Sequence, residues 1–327
     1  MPGIGISNAI PFNKGVSWSS YWATLISATV ENAAPTHVVL TFPTAKTALG
    51  ASDFTIAGFT VSSASWTGNV LTLVLSYPVT IYNGNLTITF AKTGGTATVT
   101  NNVADDGKTV GWYDAQELVT KDGSNHVTKW GTKLALGTDL DHVVGTPHWS
   151  ADGILFDGIG DALYGHVAKK NQPVYWYFVM RMVTHTVGYF FDGDADNMAV
   201  VSQNPSPTIK AYAGTLSSAN TDMAVGEWVI LRVFFNGASS KLQVNDHAAV
   251  SGNFGANALG TQIMLAKKGN SAVYGNVQFK EFIVRNNADS AAIEASIYNY
   301  LKTKYAFFFD LTTNVFDESK MNNKVDL

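Results

Sequence analysis

Apolar and polar residues alternate along several short segments of the chain, and this alternation predicts β-strands. Every second position is apolar in residues 37–42, and residues 71–77 and 86–90 repeat that spacing. A period of two places one face of a strand against a core and leaves the other face polar. Asparagine and glycine between these segments favour the positive φ angles of tight hairpins. Residues 26–103 are therefore predicted to form a small β-sandwich.

A second set of strand-like segments begins at residue 112. Residues 174–183 and 228–235 are apolar at nearly every position. Such strands are covered on both faces, as in the middle of a two-sheet sandwich. We therefore expect a second, larger β-domain over residues 112–305, joined to the first domain by a linker at residues 104–111.

Residues 289–305 form the one segment with a clear helical pattern. Ser290 can cap the amino end, and Glu294 lies in the first turns. Lys302 and Lys304 lie at the carboxyl end, where cations favour the helix dipole. The helix is expected to pack on the sandwich.

An arm at residues 1–25 and a tail at residues 306–327 flank the predicted domains. Glycine and proline interrupt the arm, and its aromatic side chains need a surface to bury against. That surface belongs either to the protein's own domain or to a neighbouring subunit. Candidate assembly residues in the two segments are Trp18, Tyr21, Trp22, Phe307, Phe308 and Phe309.

Composition narrows the classes of function. Apolar residues make up 46% of the 327 residues and charged residues 14%, and the formal net charge is −4. A negative net charge does not favour binding to the phosphates of nucleic acid, so nucleic acid is not an expected partner. Short basic pairs such as Lys169–Lys170 are interpreted as solvated surface residues. The chain has no cysteine, which excludes disulfides and thiolate chemistry. The start lacks a signal-peptide pattern and no apolar run could span a bilayer, so we expect synthesis in a cytoplasm and no membrane insertion.

Residues 150–165 alternate glycine, aspartate and bulky apolar side chains. This pattern fits a calcium loop or acid cluster, but it also fits two strands joined by a tight turn. An aspartate can accept hydrogen bonds from the backbone of its own turn without any ligand. The structural interpretation places Phe156 and Leu163 in the core and the turn at Asp157–Gly158.

The best candidate for a metal site is the acidic loop after residue 190. Its oxygen ligands would be Asp192, Asp194, Asp196 and Asn197, which suit a hard cation such as Ca²⁺, the one cofactor considered. The alternative is a solvated hairpin turn. Glycoside cleavage would require two carboxylates facing one another across a groove, and no such spacing is present. We therefore expect a protein that is not an enzyme.

Glycan binding would use aromatic faces together with nearby polar side chains. The sequence does not localise such a site. The candidate platforms are Trp112, Trp130, Trp149, Tyr164, Tyr189 and Tyr274. The histidines are interpreted as isolated surface residues.

The order of motifs in the larger domain resembles the laminin-G-like, or concanavalin-like, jelly-roll family. GILFDGIGDALYG (153–165), GEWVILRVFFNGASSKLQVND (226–246) and the terminal strand and helix (279–305) carry the resemblance. The preceding sandwich is similar to bacterial immunoglobulin-like modules. Together they imply an all-β fold, an immunoglobulin-like β-sandwich followed by a concanavalin-like jelly roll with one C-terminal helix.

This combination of domains is similar to accessory virion proteins of tailed bacteriophages, namely head fibres, decoration proteins and tail adhesins. The resemblance implies a non-enzymatic virion protein attached to capsid or tail proteins through its N-terminal part. It also implies homo-oligomers, trimers above all, and a jelly roll displayed towards a host-surface glycan. The alternative is a carbohydrate-binding module of a bacterial cell-surface protein.

Overall fold

The computed structural model describes residues 24–45, 49–185, 187–194, 198–203 and 208–305. The chain divides into two compact units, Met1–Ala104 and Asp105–Leu327. The regular secondary structure of the described residues is almost entirely β-strand, with one C-terminal α-helix and a few short 3-10 turns, so the predicted all-β fold class is confirmed. Within these residues, no helix has the length and apolarity that a membrane span requires.

The first unit is a seven-stranded β-sandwich. Its strands are β1 (Ser27–Glu31), β2 (His37–Thr41), β3 (Phe54–Ile56), β4 (Val61–Thr67), β5 (Val70–Leu75), β6 (Leu86–Phe90) and β7 (Thr96–Asn102). They follow the order β3-β6-β7-β1-β2-β5-β4. Strand β7 pairs with β6 through its first half and runs parallel to β1 through its second half. One strand thus joins the two layers, and the immunoglobulin-like assignment stays a prediction.

The core of the first unit follows the alternation in the sequence. Val38 and Leu40 on β2 are fully buried, as are Leu71 and Leu73 on β5. These side chains pack in one cluster with residues from β3 and β6, because both layers turn their apolar faces inward. Gly68 has φ +58° between β4 and β5, as expected for a hairpin turn that glycine permits.

The second unit contains two large sheets and a small hairpin. Its first strands are β8 (Thr109–Asp114), β9 (Val119–Lys121), β10 (Val127–Trp130), β11 (His142–Val144), β12 (His148–Ser150), β13 (Gly153–Asp157), β14 (Ala162–His166) and β15 (Val174–Met182). Then follow β16 (Gly188–Asp192), β17 (Ala199–Gln203), β18 (Thr208–Tyr212), β19 (Val229–Phe235), β20 (Ser240–Val244), β21 (Val250–Gly252), β22 (Gln262–Leu265) and β23 (Asn276–Arg285).

The two large sheets stack face to face. The six-stranded sheet has the order β11-β14-β22-β16-β17-β18, and the eight-stranded sheet has the order β12-β13-β23-β15-β19-β20-β21 with β8 also paired to β23. One apolar cluster contains side chains from both sheets. On β15, for example, Trp176, Phe178 and Met180 belong to this cluster, whereas Tyr175 and Tyr177 point away from it. The two-sheet sandwich predicted for the larger domain is confirmed.

Helix α1 (Ala291–Lys304) packs on the outer face of the eight-stranded sheet. Ser290 caps it by accepting a hydrogen bond from the Ile293 N–H, as the sequence predicts. Ile297 and Leu301 of the helix are fully buried, and Glu294 pairs with both Arg232 and Lys241 of the sheet. These ion pairs are mostly buried, so helix and sheet form one folded unit.

Candidate functional site

One row of paired residues crosses all six strands on the outer face of the six-stranded sheet. The pairing places in this row His142, Tyr164, Met264, Asp192, Ala199 and Tyr212. The adjacent row, with Leu163, Leu265 and Phe191, belongs to the core. Because successive side chains of a strand point to opposite faces, the first row faces away from the core.

Three rings cluster at the β11 and β14 edge of this face. The His142 and Tyr164 rings stack, with centroids 4.8 Å apart and an interplanar angle of 12°. His166 meets both edge-on, at 4.9 Å from His142 and 5.8 Å from Tyr164. His142 and His166 are exposed. The interpretation of these histidines as isolated is therefore wrong, although the spacing of Tyr164 and His166 by two on a strand was a signal for a shared face.

Polar side chains border the ring cluster. Gln262 of β22 lies directly opposite His166 in the sheet. Beyond it, the Thr261 hydroxyl donates a hydrogen bond to the Asp194 carboxylate at 2.8 Å. On the other side, the Asp141 carboxylate lies 3.6 Å from the His142 ring nitrogen Nε2. The edge thus combines apolar ring faces with amide, hydroxyl and carboxylate groups, the combination that binds sugars.

A loop between β22 and β23, residues 266–275, contacts the middle of the same face. The Gly269 N–H donates to the Asp192 carboxylate at 2.8 Å, and Asp192 is fully buried. The Lys268 ammonium lies 5.5 Å from the centre of the Tyr189 ring. A Cβ at Gly188 of β16 would lie only 2.1 Å from the Tyr274 carbonyl oxygen of the loop. The close approach of the loop to β16 therefore requires glycine at position 188. The described contacts of this loop lie in the middle of the face and do not include the three rings at the edge.

Four of the six predicted glycan platforms are partly exposed. Tyr164 and Tyr189 lie on the outer face of the six-stranded sheet, and Tyr274 lies in the loop beside it; all three are partly exposed. Trp149 lies on β12 of the other sheet, with the Lys121 ammonium 3.0 Å from its ring centre.

Two of the predicted platforms are wrong, because their indole faces are buried. Trp130 has no exposed surface and donates a hydrogen bond to the Asp114 carbonyl oxygen. Trp112 is 8% exposed and donates to the Glu281 carboxylate at 2.7 Å. Neither can present a ring face to a sugar, and both serve the packing of the sheet.

The predicted calcium ligands are only partly described. Asp192 is buried and accepts from Gly269, and Asp194 accepts from Thr261. Asp196 and Asn197 lie outside the described residues. In the described part of the chain, no group of three or more acidic or histidine side chains is arranged to hold a metal ion. The calcium site stays a prediction.

The assembly candidates Trp18, Tyr21, Trp22 and Phe307 to Phe309 also lie outside the described residues.

The acidic stretch 150–165 forms two strands and a turn, as the structural interpretation predicts. Asp157 Oδ1 accepts hydrogen bonds from the N–H groups of Ile159, Gly160 and Asp161 at 2.8–3.2 Å. Burial alone would raise the pKa of Asp157, but these donors outweigh it and hold the pKa below its usual value. Burial and the Asp157 charge beside it raise the pKa of Asp161. Backbone donors therefore account for the Asp157 carboxylate without a ligand.

Two carboxylates adjacent in the eight-stranded sheet are sealed beneath helix α1. Asp114 of β8 pairs in register with Glu281 of β23, and both are at most 1% exposed. Lys304 donates to both carboxylates. Burial alone would lower the pKa of Lys304, but the two carboxylates outweigh it and raise that pKa. A substrate cannot reach this pair from solvent while the helix is in place.

No family model matches the chain, and no curated protein does either. Several solved structures share a distant likeness. Trypanosoma rangeli sialidase in complex with sialic acid aligns at a TM-score of 0.46 and 12% identity, over 74% of this chain and 42% of the sialidase. The botulinum neurotoxin serotype D binding domain aligns at 0.42 and 9%, over 59% and 51% of the two chains.

A third likeness is to domain 4 of AbnA, a GH43 extracellular arabinanase from Geobacillus stearothermophilus, in complex with arabinotriose. It aligns at a TM-score of 0.33 and 12% identity, over 59% of this chain and 98% of that domain. These likenesses are too distant to transfer a ligand or an activity. The site is therefore defined by its own geometry, as an exposed aromatic edge on one face of a β-sandwich.

Proposed function

We propose that the larger unit binds a glycan at the exposed edge of its six-stranded sheet and does not cleave it. The observation that carries this proposal is the cluster of His142, Tyr164 and His166, with Gln262 beside it. Ring faces bury the C–H surfaces of a sugar, and the amide binds its hydroxyl groups. A non-catalytic role is supported by the burial of the Asp114–Glu281 pair.

A glycan array with the full chain, followed by calorimetry on the best ligand, tests this proposal. Tyr164→Ala and His166→Ala are expected to weaken binding by about fivefold each, because a lost ring contact costs on the order of 1 kcal/mol. Tyr212→Ala is the matched control, because Tyr212 lies in the same row at the opposite edge. Five strand spacings separate it from His142, about 24 Å. The proposal fails if no glycan binds, or if the control weakens binding as much as the two site variants do.

We also propose that this binding unit is displayed on a bacteriophage particle as an oligomer, most simply a trimer. The support is the sequence resemblance described above, together with the aromatic arm and tail. Several weak sites on one assembly would raise the overall affinity through effective concentration. Light scattering on the purified chain is expected to give a trimer mass, and antibodies against the chain are expected to label purified particles. A monomer that binds glycans but labels no particle would favour a bacterial cell-surface module instead.

A further inference from the structure

A polar cleft of about 350 Å³ opens where β14 leaves the six-stranded sheet. Val167 and Ala168, which line it, directly follow His166 of the ring cluster. Its volume lies at the lower end of the range for small-molecule sites. The lining residues are Gly107, Lys108, Thr109, Val110, Leu136, Gly137, Thr138, Val167, Ala168, Lys170 and Asn286.

Two lysines give the cleft its charge. The lining includes Lys108 and Lys170 and no carboxylate side chain. Neither ammonium makes an ion pair or a hydrogen bond with a described residue. The structure thus leaves both ammonium groups available to an anion from solvent.

The carboxylates nearest in sequence to the lining are held by other partners. Asp106 accepts from Arg285 at 2.6 Å. Burial alone would raise the pKa of Asp106, but the Arg285 contact outweighs it and lowers that pKa. Asp139 accepts from Lys129 at 3.1 Å and from the Thr132 N–H at 2.9 Å. Asp106 also interacts electrostatically with Lys108, but the short hydrogen bond of Asp106 is with the Arg285 guanidinium.

We propose that this cleft binds a carboxylate-bearing sugar, such as a uronic acid unit of the glycan. The two ammonium groups would bind the carboxylate, and the Thr138 hydroxyl would bind a ring hydroxyl. The apolar side chains of Val110, Leu136 and Val167 would cover a C–H face. The inference rests on the proposed function, since the cleft continues from the strand that carries Tyr164 and His166. It adds the class of sugar, which the ring cluster alone does not select.

The first experiment uses small probes on the full chain and does not depend on binding at the ring cluster. Amide resonances of the isotope-labelled protein are followed during titration with glucuronate, glucose, acetate and inorganic phosphate. Glucuronate is expected to shift the amides of Gly137, Thr138 and Lys170 more strongly than glucose or acetate does. The cleft proposal is overturned if glucuronate leaves these amides unchanged at millimolar concentration. It is also overturned if phosphate or acetate shifts them as strongly, since the site would then select an anion and not a sugar.

The second experiment measures affinity for an acidic oligosaccharide and its carboxyl-reduced counterpart. Lys108→Gln and Lys170→Gln are each expected to weaken binding of the acidic form by about tenfold, because each removes a charge-assisted hydrogen bond. Binding of the neutral form should stay unchanged. Lys169→Gln is the matched control, because Lys169 is exposed and lies outside the cleft lining.

The outcomes separate the two proposals. Loss of all binding in Tyr164→Ala, with an intact glucuronate response, leaves the cleft assignment standing and supports the ring cluster as well. A wild-type protein that binds acidic and neutral forms equally overturns the cleft proposal and leaves the ring cluster untouched. A glucuronate response without binding to any oligosaccharide refutes the proposed function and retains the cleft.

Discussion

Replacing Glu281 by glutamine tests whether the buried acid pair is structural. Oε1 of Glu281 accepts from the Trp112 indole and the Tyr300 hydroxyl, both at 2.7 Å. Oε2 accepts from Lys304 at 2.6 Å and from the Tyr305 hydroxyl at 2.8 Å. A glutamine supplies one oxygen, so its amide NH₂ would face either the Trp112 indole or the Lys304 ammonium, neither of which can accept a hydrogen bond. The substitution thus breaks at least one hydrogen bond and removes a charge that balances Lys304.

The expected loss of unfolding free energy is about 3–5 kcal/mol, the cost of breaking a buried ion pair from one side. In a unit of this size, that loss lowers Tm by roughly 6–20 °C. Urea unfolding followed by tryptophan fluorescence measures it, because Trp130 and Trp176 are buried in the core of the same unit. Glu117→Gln is the control, since Glu117 is 53% exposed in its pair with Lys133 and should lose less than about 1 kcal/mol.

The reasoning is refuted if Glu281→Gln and Glu117→Gln unfold at the same urea concentration. Glycan affinity of the folded Glu281→Gln protein should equal that of the wild type. Unchanged stability combined with a loss of glycan affinity would instead identify Glu281 as a residue that serves binding.

Three further predictions concern the turn, the sheet edge and the core. Asp157→Ala should cost about 1–2 kcal/mol at neutral pH. Because the folded-state pKa of Asp157 is lowered, the stability difference between the variant and the wild type should shrink as the pH falls below about 4. Urea unfolding at several pH values measures this difference, and a difference that stays constant would contradict the prediction. Gly165→Ala should reduce both stability and glycan affinity, since its Cβ would lie 2.3 Å from the Asp139 carbonyl oxygen; a crystal structure with an unmoved backbone at Asp139 would contradict this. Phe178→Ala should lose about 3–5 kcal/mol of unfolding free energy, and a loss below about 1 kcal/mol would contradict its core position.

Local patterns predict the elements well, because each depends on neighbours in the chain. Alternation locates the buried face of β2 and β5, and Ser290 marks the start of the helix. The Asp157 turn follows from a carboxylate that can reach its own backbone. None of these conclusions needs to know which strands lie side by side.

The candidate site could not be predicted in the same way, because it depends on strand pairing. Tyr164 meets Asp192 only through β22, which comes much later in the chain. The partnership of Asp114 with Glu281 likewise depends on the pairing of β8 with β23. Trp130 illustrates the same difficulty, because an indole suits a sugar platform and a core equally well until its neighbours are known.

The two outer faces of the larger sandwich differ in what covers them, and this difference determines where a ligand can bind. On the eight-stranded sheet, the outward-facing Lys280, Glu281 and Arg285 are each buried and each paired with an opposite charge. Such polar groups are stable in a buried position only when they are paired, so that face is completed by contacts within the unit. The ring cluster on the six-stranded sheet has exposed histidines and no comparable buried ion pairs in the described residues. This difference supports the proposed glycan site at the ring cluster, and the lysine-lined cleft lies at the end of the same strand.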